Sequence, residues 1–156
     1  MKAILVSGAS TSGKSTFAQK LATLTGFRIY HEDIGDYVIG LIKCHRSGKS
    51  NIIFEHNRIF EKVENFVEQY SKVYSIFLNV DSHILKTNFQ KKLDRFAYGD
   101  FLKYDPLEEQ KEIFRRYNFF SRNLPLGSVK WLTLKIRKYE DYDKYIVNLK
   151  EELMND

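Results

Sequence analysis

The stretch SGASTSGKST, residues 7–16, decides the fold, because it combines a glycine-rich turn with a lysine and a run of hydroxyls. It follows the apolar run 3–6, which predicts a short buried strand, and it precedes a segment with helical spacing. Backbone N–H groups that point inward at such a turn, together with a helix N-terminus, attract anions. The stretch therefore predicts a binding site for phosphate groups.

Residues 8–15 match the P-loop pattern of glycine, any four residues, glycine, lysine and serine or threonine at every fixed position. Gly8 and Gly13 allow the backbone to curl. Lys14 is expected to reach the β- and γ-phosphates, and the Ser15 hydroxyl is expected to ligate Mg²⁺. We call residues 8–16 the phosphate loop. Its expected ATP-phosphate-binding residues are Gly8, Ala9, Ser10, Thr11, Ser12, Gly13, Lys14, Ser15 and Thr16. An accidental glycine-rich turn is the alternative, but the flanking strand and helix favour the phosphate site.

The composition is that of an ordinary folded domain with a basic balance. The 156 residues, 43% of them hydrophobic, suggest a single domain over residues 1–156. The formal net charge of +5 suits a phosphate-bearing ligand without demanding nucleic acid. The single cysteine, Cys44, excludes an internal disulfide and favours a reducing compartment. No apolar run is long enough for a membrane span or a signal peptide, so we expect a cytoplasmic protein with no membrane partner.

Strand and helix signals alternate along the whole chain. Apolar runs predict strands at 3–7, 27–31, 51–54, 73–80 and 129–136. Helical spacing and capping residues predict helices at 14–24, 34–42, 59–70, 81–93, 105–120 and 142–153. This alternation predicts an α/β fold with three layers, in which a five-stranded parallel sheet is covered by helices on both faces.

The phosphate loop alone does not separate a kinase from a GTPase or a motor protein. The sequence has no Asn-Lys-x-Asp element, which would specify guanine, and no apolar run ending in Asp-Glu, which is usual in larger ATPases. A basic, irregular segment at about 91–105 is interpreted as a lid over the nucleotide. A compact chain with these features has the plan of a small P-loop kinase.

Three segments resemble known kinase families. ILVSGASTSGKSTFAQKLATLTGFRIYHED, residues 4–33, is similar to the N-terminal half of the uridine kinase and nicotinamide riboside kinase group. FLNVDSHILKTNFQKKLDRF and DPLEEQKEIFRRYNFF resemble the fourth strand, lid and following helix of thymidylate kinases. The resemblance implies a Mg²⁺- and ATP-dependent kinase for a nucleoside or a nucleoside monophosphate. The sequence departs from these families at Glu55-His56-Asn57, where thymidylate kinases carry Asp-Arg-Tyr and the uridine kinase group usually carries Glu-Gly.

Carboxylates after the second and third strands are candidates for handling the acceptor, because ligands of parallel sheets bind outside the carboxyl ends of the strands. Asp33 is the candidate base or hydroxyl-orienting residue, and the resemblance points to the same place. A helix cap is the alternative for Asp33. Glu55 is a candidate for binding the acceptor or for holding Mg²⁺ through water, with a solvated loop carboxylate as the alternative. Arg58 is a further candidate contact to the acceptor.

Basic residues near the lid are candidates to neutralise charge on the transferring phosphate. They are Arg95, Arg115 and Arg116, and a solvated helix face is the alternative for each. Aromatic side chains are candidates to stack on a base, although most are expected in the core. The aromatic candidates are Tyr30, Tyr37, Phe54, Phe60 and Tyr98.

The prediction is a kinase that transfers phosphate from ATP, with Mg²⁺, to a nucleoside or nucleotide, and a homodimer is compatible with it. A second hypothesis keeps the fold and makes the acceptor a nucleic-acid end, a modified base or a non-nucleotide small molecule. A third hypothesis is a nucleotide-binding regulatory module without transferase activity, which the intact Lys14 and Ser15 disfavour.

Overall fold

The computed structural model describes residues 1–31, 50–95, 105–124 and 127–155. Its strands are β1 (Lys2–Ser7), β2 (Arg28–His31), β3 (Ile52–Glu55), β4 (Lys72–Val80) and β5 (Val129–Ile136). They form one five-stranded sheet in the order β2-β3-β1-β4-β5. Every pairing is parallel, which confirms the predicted sheet. The central strands read as continuous apolar runs because both faces of a parallel sheet are covered.

Helices fill the connections between the strands. They are α1 (Lys14–Thr25), α2 (Val63–Val67), α3 (Ser82–Arg95), α4 (Pro106–Asn123) and α5 (Glu140–Met154), with a 3₁₀ turn at Ile59–Lys62 before α2. The helix predicted at 34–42 lies outside the described residues. The predicted lid segment 91–105 begins inside α3, and its residues 96–104 also lie outside them. None of the helices in the described ranges is long and apolar enough to cross a bilayer.

The single helix predicted at 59–70 is wrong in extent. The chain forms the 3₁₀ turn first and then the five-residue helix α2. Ile59, Val63, Phe66 and Tyr70 are nevertheless buried, as their spacing predicted. β-Branched and aromatic residues are poor helix formers, so packing against the sheet determines the shape of this segment more than helix propensity does.

Two helix boundaries follow the predicted capping chemistry. α1 ends at Gly26, whose φ of +74° is left-handed and whose N–H donates to the Ala22 carbonyl at 2.8 Å. α4 begins after Asp105, whose side chain accepts from the backbone N–H of Leu107 at 3.0 Å. Pro106 occupies the first position of α4, where its missing N–H is harmless.

The core lies on both faces of the sheet, which confirms the three layers. On one face, Phe17 and Leu21 of α1 and Leu149 of α5 pack against β1 and β4. On the other face, Phe66 of α2 packs against β1 and β3, while Tyr117 of α4 packs against β4. These layers leave the loops at the carboxyl ends of the strands free to build a site.

The register of the sheet brings particular residues together at that edge. Glu55, the last residue of β3, is aligned with Val6 of β1 and with His31 of β2. β1 ends at Ser7, and the phosphate loop begins at the next residue, Gly8. The ends of β2 and β3 therefore lie beside the loop that the sequence assigns to phosphates.

Candidate active site

Both glycines of the phosphate loop are required by its shape. Gly13 has a φ of +80°, in the left-handed region that side chains disfavour. A Cβ on Gly13 would lie 3.1 Å from the hydroxyl of Tyr142. A Cβ on Gly8 would lie 2.6 Å from the Ser12 Oγ. The strand, loop and helix that the pattern requires are all present, so the loop has the structural context of a phosphate site.

Side chains from α3 and α5 hold the loop from outside. Asn88 donates its amide N–H to the Thr11 carbonyl at 3.0 Å, and the Tyr142 hydroxyl donates to the Ser12 carbonyl at 2.7 Å. The Tyr139 hydroxyl donates to the Asn88 Oδ1 at 3.0 Å and so fixes that amide. Burial raises the pKa of Tyr142 to about 12, which keeps its hydroxyl protonated as a donor.

Lys14 is buried, with 7% of its surface exposed. Its Nζ donates to the Ala9 carbonyl at 3.3 Å and lies 3.6 Å from the Glu55 Oε1. Burial lowers the pKa of Lys14, and the negative charges of Glu55 and Glu109 partly offset that effect. A phosphate anion at the loop would stabilise the ammonium form further, so this lysine is suited to binding one.

Glu55 contacts Lys14 with one carboxylate oxygen and His31 with the other. His31 in turn contacts Ser15, the candidate metal ligand. The Glu55 Oε2 is 3.1 Å from the Nδ1 of His31, which is 3.4 Å from the Ser15 Oγ. A hydroxyl and a buried carboxylate at one place are oxygen ligands that suit Mg²⁺. Within the described residues, no three His, Cys, Asp or Glu side chains gather as a metal site. Phosphate and water oxygens would have to complete the coordination.

Glu109 of α4 contacts the loop, a contact that was not predicted from the sequence. Its Oε1 accepts from both the backbone N–H and the hydroxyl of Ser10, at 2.7 and 2.9 Å. Asn57 donates to the same Ser10 hydroxyl at 3.3 Å. The Glu109 Oε2 is buried and has no hydrogen-bond partner among the described residues. The Glu109 carboxylate thus accepts a hydrogen bond from the Ser10 N–H, one of the backbone amides that the P-loop motif assigns to phosphate.

A pocket of about 430 Å³ opens beside the phosphate loop. The loop forms one wall, the α3 residues Lys91, Lys92 and Arg95 form a second, and Tyr139 and Tyr142 contribute a third. The volume falls within the usual range for small-molecule sites. Arg95 therefore lines the pocket, and two lysines accompany it.

Tyr139 is the most exposed of the aromatic residues that line the pocket. It is 47% exposed, and the Lys91 Nζ lies 5.4 Å from its ring centroid. Of the aromatic residues predicted for stacking, Phe54 and Phe60 are buried in the core instead, because their strand and turn face the helices. Tyr30 stacks on Phe54, and Tyr37 and Tyr98 lie outside the described residues. Tyr139 follows β5 at the carboxyl edge of the sheet, which is the signal that could have identified it.

The remaining predicted cations gather away from the pocket. Arg58 and Arg116 both bind the Glu61 Oε1, at 2.7 and 3.0 Å. Arg115 is exposed and pairs with Glu112 at 2.7 Å, one helical turn earlier. Asp33 lies outside the described residues. The structure therefore brings Lys14, Ser15, Glu55 and Arg95 to the loop and pocket, and it places Arg115 and Arg116 elsewhere on α4.

His56 lies between the loop and this arginine pair. Burial, together with the positive charges of Lys14 and Arg58, lowers the pKa of His56. Its Nδ1 accepts from the backbone N–H of Arg58 at 3.1 Å, so this nitrogen carries the lone pair. The imidazole is thus neutral near pH 7 and has its proton on Nε2.

The fold is shared with solved kinase structures, although no family model matches the sequence and the curated proteins give no significant match. A sugar kinase from Janibacter sp. HTCC2649 is 16% identical with a TM-score of 0.64, over 98% of this chain and 94% of that one. Shikimate kinase from Acinetobacter baumannii in complex with shikimate is 15% identical with a TM-score of 0.56, covering 99% and 95%.

Deoxyadenosine kinase from M. mycoides with bound dATP is 15% identical with a TM-score of 0.55, over 98% of this chain and 99% of that one. At these identities the similarity establishes the α/β fold that these kinases share. It does not establish which acceptor this chain uses.

Proposed function

We propose that this chain is an ATP-dependent phosphotransferase that uses Mg²⁺ and acts on a nucleoside or a nucleoside monophosphate. The observation that carries the proposal is the phosphate loop, in which a buried Lys14 is paired with Glu55 and lies next to Ser15 in sequence. A lysine is rarely buried without an anionic partner. At this loop a phosphate would be a second anion for Lys14 beside Glu55, and this favours phosphate chemistry. The shared fold with kinases supports the same reaction class.

The donor nucleotide is proposed to fill the pocket beside the phosphate loop. Its phosphates would accept hydrogen bonds from the loop N–H groups and charge from Lys14. Its base would stack on the exposed ring of Tyr139, with Lys91 and Arg95 adding positive charge at the pocket wall. Ser15 and Glu55 would hold Mg²⁺, which neutralises charge on the phosphates.

The acceptor is proposed to bind at the ends of β2 and β3, on the other side of Lys14. In the reaction, an acceptor oxygen forms a bond to the γ-phosphorus while the bond from that phosphorus to the bridging oxygen breaks and ADP leaves. Where the acceptor is a hydroxyl, Asp33 is the proposed recipient of its proton. Arg58 and Arg116 are proposed to contact a negatively charged group of the acceptor. Their two guanidiniums share the single carboxylate of Glu61, which leaves a net positive charge.

A small hydroxyl-bearing acceptor is favoured over a nucleic acid. The names of the three structural neighbours specify a sugar, shikimate and deoxyadenosine, which are all small molecules. The acceptor-side arginines are each paired with a carboxylate rather than arranged as an open basic stripe. A nucleic-acid acceptor remains testable through the steep salt dependence of its binding.

The test is ATP consumption with Mg²⁺ against a panel of nucleosides, nucleoside monophosphates, small sugars and short 5′-hydroxyl oligonucleotides. Turnover with one of the first two classes, lost in Lys14→Ala and kept in Lys20→Ala, is the expected result. Lys20 is the matched control because it is an exposed lysine of the same helix, paired with Asp143. ATP binding without turnover on any acceptor would instead support a regulatory module.

A further inference from the structure

The imidazole of His31 lies between the two side chains proposed to hold the divalent metal. Its Nδ1 is 3.1 Å from the Glu55 Oε2 and 3.4 Å from the Ser15 Oγ. The parallel pairing of β2 with β3 aligns His31 directly with Glu55. The contact therefore follows from the register of the sheet and not from a chance approach of surface side chains.

The other ring nitrogen of His31 determines which atom is available to a cation. Nε2 lies 3.3 Å from the Gln19 Oε1. In the tautomer with its proton on Nε2, the ring donates to this amide oxygen and Nδ1 keeps its lone pair. That lone pair then lies beside a carboxylate oxygen of Glu55, which also presents lone pairs. A divalent cation between the two atoms would be bound by both.

We propose that His31 Nδ1 is a protein ligand of the divalent cation held by Ser15 and Glu55, and that the site consequently favours imidazole-accepting cations such as Co²⁺ over Mg²⁺. The inference rests on the proposed function. Adjacent ligands of an octahedral ion with bonds of about 2.1 Å are about 3.0 Å apart, close to both separations around Nδ1. Transition metals accept imidazole readily, whereas Mg²⁺ prefers oxygen.

The contact of Nε2 with the Gln19 Oε1 is the second feature typical of a metal-binding histidine. Such a histidine almost always donates its other N–H to a fixed acceptor, which sets the tautomer and orients the ring. Gln19 lies on α1, one helical turn after Ser15. The same helix thus supplies the hydroxyl ligand and the group that orients the imidazole.

The experiment compares ADP binding in Mg²⁺ and in Co²⁺ by titration calorimetry, for the wild type, His31→Ala and His31→Gln. The ratio of the Co²⁺ to the Mg²⁺ affinity should fall at least about tenfold in His31→Ala. His31→Gln supplies an oxygen in place of nitrogen, so it should keep the Mg²⁺ affinity and lose the Co²⁺ preference. The visible absorption of bound Co²⁺ should change in both variants, because a nitrogen ligand is lost.

His83→Ala is the matched control, because His83 is an exposed histidine of α3 away from these contacts. It should leave both the ratio and the Co²⁺ spectrum unchanged. If His31→Ala binds ADP with an unchanged ratio and spectrum, the inference is overturned and the proposed function stands. If the wild type binds ADP with neither metal, the proposed function fails and the inference fails with it. His31→Gln serves as the test if His31→Ala does not fold.

Discussion

Removing either member of the buried Lys14–Glu55 pair should destabilise the protein, and removing both should recover most of the loss. The Nζ and Oε1 are 3.6 Å apart, and the two side chains are only 9% and 6% exposed. With an effective dielectric constant of about 20, two unit charges at that distance attract by about 5 kcal/mol. The desolvation cost of each ion cancels in a double-mutant cycle, so we expect a measured coupling of about 5 kcal/mol.

The assay is urea unfolding at pH 7 without nucleotide, for the wild type, Lys14→Met, Glu55→Gln and the double variant. Each single variant leaves one buried charge without its partner and should lower the free energy of unfolding by about 3 kcal/mol. The double variant leaves neither charge and should lie within about 1 kcal/mol of the wild type. His31 is present in all four proteins, and the loss of its contact with Glu55 is common to Glu55→Gln and the double variant. That loss therefore cancels from the coupling.

An exposed pair that joins α1 to α5 provides the control. Lys20 and Asp143 are 3.2 Å apart, but their side chains are 53% and 68% exposed. The corresponding cycle with Lys20→Met and Asp143→Asn should give a coupling below about 1 kcal/mol. A coupling for Lys14 and Glu55 no larger than that of this control would refute the argument, because burial would then add nothing to the interaction.

Four further results follow from the site. Tyr139→Ala should weaken ATP binding about tenfold, while Tyr139→Phe keeps the ring and should not; equal losses would exclude stacking. Glu109→Gln keeps an acceptor for Ser10 but removes a charge beside the phosphates, so ATP should bind about fivefold more tightly by calorimetry, and weaker binding would contradict this. Gly13→Ala should lower stability by at least about 1 kcal/mol in urea. Folding lowers the pKa of Lys14, so between that pKa and about 10.5 the unfolded chain binds more protons than the folded one. The free energy of unfolding of the wild type, relative to that of Lys14→Met, should therefore rise with pH up to about 10.5. A fall over this range in urea unfolding would contradict the lowered pKa.

The fold was predictable because its signals are local. Each strand is a short apolar run, and each helix end with a cap residue depends on neighbours a few positions away, as at Gly26 and Asp105. The phosphate loop is also local, since its pattern spans residues 8–15. The one element predicted with the wrong shape, at 59–70, is the one in which contacts to the sheet outweigh helix propensity.

The candidate site was less predictable because its contacts join distant parts of the chain. His31 meets Glu55 through strand pairing, and Tyr142 meets Ser12 across 130 positions. No spacing rule reports such contacts. The carboxyl-edge rule did locate Glu55, and applied to the residues after β5 it also reaches the segment that carries Tyr139.

Helical phase explains why α4 supplied Glu109 to the loop and not the predicted Arg115. The buried residues Ile113 and Tyr117 are four positions apart, so they mark the face of α4 that packs on the sheet. Glu109 is four positions before Ile113 and lies on that same face, where an acidic residue needs a buried partner. Arg115 is two positions after Ile113, about 200° around the helix, and therefore points to solvent. An acidic residue in phase with the apolar face was thus a stronger sign of a functional contact than an arginine on the opposite face of the helix.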